Sequence, residues 1–114
     1  MKYMKFNRQS FVEHIKSLDT PIFVKLTATW CKPCQEIAPF VKEWFNQLTE
    51  KNIPYIEIDI DESIDLFAML KSKRMVQGVP VILFYNKENE SYIPDDSVSG
   101  TDREMITQFF NSNM

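Results

Sequence analysis

One histidine, two cysteines and two glycines are all that this chain holds of those types, and each shortage closes off a class of protein. A tetrahedral zinc site takes four ligands, usually from two cysteine pairs. A single pair with one distant histidine, His14, would need carboxylates or a second chain to complete it, so no metal is expected. Two cysteines among 114 residues also exclude a disulfide-stapled mini-protein, because a chain of this length can bury a core of its own. Charge of one sign is missing too. Thirteen Lys and Arg against sixteen Asp and Glu leave a net charge of -3, without the basic block or basic-aromatic run that would point to nucleic acid. No apolar run reaches the length of a membrane span, and the N-terminus has basic residues without an apolar signal segment. The expectation is a soluble cytoplasmic protein, where a close cysteine pair is more often metal-binding or catalytic than structural.

What is present is a core and an order of elements. Hydrophobic residues make up 44% of the chain, nine of them Phe, enough for one domain over residues 1–114. Ser10 and Glu13 have capping-box spacing ahead of Phe11, Ile15 and Leu18 on one helical face. The run "IFVKLTA" from Ile22 is apolar and β-branched, and reads as an inner strand. A long helix should open at the cysteines and reach about Lys51, with Pro39 inside it predicting a kink. "YIEIDI" from Tyr55 alternates as a strand, and Asp61 or Ser63 can cap a short helix through Leu70. "VPVILFY" from Val79 is a further strand, a weak strand is expected near Ser91–Ile93, and a last helix over Asp102–Asn111. The pattern is a βαβ unit followed by a hairpin and a closing helix, giving a mixed sheet covered on both faces. There is no internal repeat and no linker.

Cys31 and Cys34 lie two residues apart within "TATWCKPCQEIAP". An inert disulfide over so small a loop would restrain the unfolded chain little, so stability is a poor reason for the spacing. A redox couple explains it better. At a helix start the first thiol lies at the exposed terminus and the second one turn in. Unpaired backbone N–H groups and the helix dipole then favour the first thiolate. Pro33 suits a first turn, where a missing N–H costs nothing, and Lys32 adds positive charge beside the sulfur.

"TWCKPC", the "IAP" that follows it, and "GVP" opening an apolar strand together resemble the thioredoxin family. The resemblance covers nearly the whole chain in element order, although only these motifs are specific. It implies an α/β thioredoxin fold, with a central mixed sheet of four to five strands flanked by helices on both faces. It further implies reduction of protein disulfides through a mixed disulfide. Cys31 would be the nucleophile and Cys34 the resolving thiol, with Trp30 shielding the pair. Pro80 would be a cis-proline facing Cys31, and Val79 would offer its backbone to an extended substrate. Gly78, beside that loop, is expected to serve a close approach or a special dihedral, and Gly100 likewise. The redox-active group would be the Cys31–Cys34 disulfide itself, with no separate cofactor. Partners would be disulfide-containing proteins and a recycling enzyme such as thioredoxin reductase, with no nucleic acid and no membrane.

The departures from the family pattern concern tuning. Lys32 replaces the glycine between the cysteines, and Thr27 stands where an aromatic is common. Lys25 aligns with the aspartate that the family buries beneath the second cysteine, and Glu57 with the lysine that neighbours it. If their strands are adjacent, Lys25 and Glu57 would be the family's acid-base pair with its signs exchanged. The reading from sequence is therefore a protein-disulfide reductase tuned by Trp30, Lys32, Pro33, Lys25 and Glu57. A disulfide oxidase or isomerase of the same fold, and a non-catalytic module using the Pro80 groove, are the alternatives.

Overall fold

The computed structural model describes residues 5–114, so the first four residues of the proposed domain lie outside the described residues. Strand β1 (Ile22–Thr27) is buried along its whole length and lies inside a four-stranded sheet of order β2-β1-β3-β4. It runs parallel to β2 (Tyr55–Asp59) and antiparallel to β3 (Val81–Tyr85), which in turn pairs antiparallel with β4 (Asp96–Ser99). An inner strand flanked by two others explains why "IFVKLT" contains so little that is polar.

Alternation then assigns residues to faces. Ile22, Val24 and Leu26 share a core with Val81, Leu83 and Tyr85 beneath two helices, α1 (Arg8–Lys16) and α3 (Ile64–Ser72). Phe23, Ile82, Phe84 and Val98 face the other way, against α2 (Lys32–Glu50) and α4 (Arg103–Asn113). There Phe110 stacks on Trp44 at 5.1 Å and on Phe23 at 5.2 Å, which seats α4 on the sheet.

Several local expectations are corrected by where side-chain hydrogen bonds go. The first helix is capped by Asn7, not Ser10. Asn7 Oδ1 accepts from the Ser10 backbone N–H at 2.7 Å, and Ser10 Oγ accepts from the Asn7 N–H at 3.0 Å. Ser63 precedes α3, but its hydroxyl accepts from the Phe6 backbone N–H at 2.9 Å and so ties down the N-terminal segment. The weak strand near Ser91–Ile93 is a loop, and β4 lies further on. Asn89 accepts from the Ser91 N–H and donates to the Ile93 carbonyl, taking the partners that a ladder would need. Strand β3 begins at Val81 because Pro80 has no N–H to give the sheet. Helix α2 runs without interruption through Pro39.

Candidate active site around Cys31 and Cys34

The chain leaves β1 at Thr27, turns, and enters α2 with Cys31 as the N-cap. Two contacts fix that entry. The Cys31 N–H donates to the Ala28 carbonyl at 3.2 Å, and Gln35 Nε2 donates to the same oxygen at 3.0 Å. Cys31 and Cys34 are joined as a disulfide, with their Cα atoms 5.3 Å apart. Cys31 retains 5% exposure and Cys34 none, so Cys31 is the one of the pair nearer solvent, although only by a narrow margin.

The surroundings of Cys31 Sγ favour negative charge. The Cys34 backbone N–H donates to it at 3.2 Å, as at an oxygen N-cap. No acidic residue occupies the first turn of α2, while Lys32 and Pro33 are exposed there. A thiolate formed at Cys31 would therefore meet the positive end of a 19-residue helix. On its other side Sγ lies 3.8 Å from the Val79 carbonyl oxygen, and the Val79–Pro80 bond is cis. The "GVP" segment and the cysteine pair thus meet across a long sequence separation.

Trp30 stands 66% exposed beside the pair, its ring held by a 2.8 Å hydrogen bond from Nε1 to Asp61 Oδ2. Asp61 escaped the sequence reading as anything but a helix cap. No local pattern links it to Trp30; only the parallel register of β1 and β2 brings the two strand ends together. Trp30, Ile60, Ile64, Phe67, Gly78 and Val79 line an open, largely apolar groove of ≈ 560 Å³ along α3, which Trp30 and Val79 bring up beside Cys31.

The glycine expectations divide. Gly78 has an ordinary φ and open space where a Cβ would stand, so neither a special dihedral nor crowding within the chain requires it. Gly100 does require glycine: its φ is +89°, and its N–H donates to the Pro80 carbonyl at 3.0 Å. It therefore holds the far side of the Pro80 loop.

Lys25 and Glu57 are register partners on β1 and β2 and share a sheet face. Lys25 is buried at 4% exposure, whereas Glu57 is half-exposed. Among the described residues the one ion pair is Arg8–Asp65, so Lys25 and Glu57 face each other without closing to salt-bridge distance. Burial pushes the Lys25 pKa below its ordinary value; the Glu57 carboxylate opposes that fall, and the nearby Lys42 ammonium adds to it. His14 lies away from the cysteines, against the ring of Phe6.

This arrangement agrees with the chain's similarity to known proteins. The thioredoxin family model matches residues 2–112. The chain belongs to the thioredoxin family. It is 32% identical to a thioredoxin of Oryctolagus cuniculus over 108 residues, covering 92% of this chain and 91% of that one. It is 28% identical to a thioredoxin of Rickettsia bellii, covering 93% of each. Among solved structures, Plasmodium falciparum thioredoxin superposes with a TM-score of 0.71 at 23% identity, over 96% of this chain and 98% of that one. Trichomonas vaginalis thioredoxin gives 0.72 at 22%, over 96% of each. As a thioredoxin-family member with its cysteine pair at disulfide distance, the chain is a thiol–disulfide oxidoreductase, a reductase of protein disulfides. Thioredoxins act on disulfide-containing proteins and are recycled by a reductase. No helix among the described residues is long and apolar enough to cross a membrane.

Proposed function

We propose that Cys31 attacks the substrate and Cys34 resolves it, in the direction of substrate reduction. The Cys31 thiolate attacks one sulfur of a protein disulfide, and the other sulfur leaves as a thiolate. Cys34 then loses its proton and attacks Cys31, closing the disulfide and releasing the second substrate thiolate. Two electrons pass to the substrate, and the recycling enzyme, a thioredoxin reductase, returns them. The observation that carries this assignment is the position of Cys31 Sγ, which accepts the Cys34 N–H at a helix start. Trp30, Pro80 and the Val79 backbone form the platform for an extended substrate segment, a form of strand addition. Gly78, with open space above it, leaves that platform unobstructed. The disulfide is the only redox group in this scheme, without cofactor or metal, and the reducing cytoplasm is the compartment in which it operates.

Reduction of insulin by dithiothreitol tests the reading. The wild type should accelerate it and Cys31→Ser should not, while Cys34→Ser should accumulate a mixed disulfide at Cys31. Alkylation of the reduced protein near neutral pH should label Cys31 first; faster labelling of Cys34 would reverse the roles.

A further inference from the structure

Lys25 is bracketed by the neighbours of Cys34. On one side it lines a polar pocket of ≈ 280 Å³ with Gln35, Ala38 and Pro39 of α2 and with Glu57. On the other it lines a small apolar cavity with Ile37, Val41 and Pro80. Residues 35, 37 and 38 lie within four positions of Cys34, about 6 Å along a helix that rises about 1.5 Å per residue. The lysine therefore packs against the part of α2 whose residues 35, 37 and 38 flank the second cysteine. The Lys25 side chain is buried, and among the described residues its ammonium has no ion-pair partner, so its partial desolvation costs free energy. Methionine would fill the same space without that cost.

We propose that Lys25 is a positioning residue for the second chemical step: its ammonium favours the Cys34 thiolate over the thiol while a mixed disulfide at Cys31 awaits attack. The proton that Cys34 loses leaves through the polar pocket to water, and Cys34 Sγ then bonds to Cys31 Sγ as the outgoing thiolate departs. The charged groups facing Lys25 are Glu57 from β2 and Lys42 from α2. From β3, β4 and α4 it meets apolar Ile82, Val98 and Ile106. Glu57 is half-exposed and set beside the lysine. It keeps the ammonium protonated without closing on it and cancelling its charge.

The inference rests on the roles given to Cys31 and Cys34, and the reduced protein reacting with Ellman's reagent separates the two claims. The first nitrothiobenzoate is released as Cys31 forms a mixed disulfide, and the second as Cys34 resolves it. The reagent gains two electrons and the protein becomes the disulfide. An opposite charge within about 4–6 Å of the sulfur would shift its pKa by about one unit or more, which is about tenfold in thiolate fraction. In Lys25→Met the second phase should slow about tenfold at pH 7 while the first keeps its rate. In Glu57→Gln the second phase should outpace that of Lys25→Met at pH 6.5, and this advantage should vanish at a lower pH than the wild type's does. A second phase unchanged from pH 6 to 9 in Lys25→Met overturns the proposal, and so does equal slowing of both phases. A first phase that survives in Cys31→Ser overturns the underlying roles instead.

Discussion

Lys25 also has a thermodynamic signature that is independent of any reaction. Its pKa lies below the ordinary 10.5 in the folded state, burial being the main cause. Between that lowered value and 10.5 the unfolded chain binds more protons at this position than the folded chain. Stability therefore rises with pH across the window and is least below it. Lys25→Met removes the effect. The variant should be more stable than wild type at pH 7, on the order of 1 kcal/mol, as expected when an apolar side chain replaces a buried charge. Its advantage should shrink as the pH approaches 10.5. Urea titrations at pH 7 and pH 10 measure both gaps, and a gap that widens with pH would contradict the burial argument. The same residue is a candidate tuner of Cys34 and a weak point in the fold, so stability and chemistry oppose each other at one position.

At the scale of elements, the shortage of glycine leaves a trace at two helix ends. Helices α2 and α3 both close with a Schellman turn, in which Ile53 N–H donates to Leu48 O and Met75 N–H to Leu70 O, each at 2.9 Å. The left-handed residue is Asn52, at φ 59°, in the first and Arg74, at φ 60°, in the second. Asparagine tolerates that conformation; arginine gains nothing in return for its Cβ strain. Arg74→Gly should raise stability by about 1 kcal/mol without altering disulfide exchange. Equal urea midpoints for variant and wild type would show the strain to be negligible. These two ends also show what could be read in advance. The strands of the core and the start of α2 announced themselves through apolar runs and a cysteine-proline signature, both local patterns. The Asn7 cap and the position of β4 depend on which polar side chain wins a backbone partner, and several candidates compete within a few residues; the two turns depend on left-handed residues that are not glycine, so no local signal marked them. At the site, Cys31, Cys34 and Pro80 were legible because their motifs are compact. The Trp30–Asp61 hydrogen bond was not, because it exists only once β1 and β2 are in register.

At the scale of the whole molecule, an apolar groove along α3 lies beside the sulfur pair, and under the proposed function it would give a protein substrate contacts that a small disulfide lacks. Ile64 is the instructive position on its wall: it is 68% exposed, begins α3 and lines the same groove as Trp30 and Val79. An aliphatic side chain kept in water at that place has no role in the core. Ile64→Glu should therefore leave the fold intact, because a surface change of this kind stays within about 0.5 kcal/mol. A carboxylate at a helix start is also favoured by the dipole. The variant should react with Ellman's reagent at the wild-type rate, since the small reagent needs only the Cys31 sulfur. Against a protein disulfide its kcat/KM should fall about tenfold, the equivalent of roughly 1.4 kcal/mol and less than full burial of an isoleucine side chain provides. If protein and small disulfides are affected alike, the substrate does not lie along α3, and recognition must rest on Trp30 and the Val79–Pro80 segment alone.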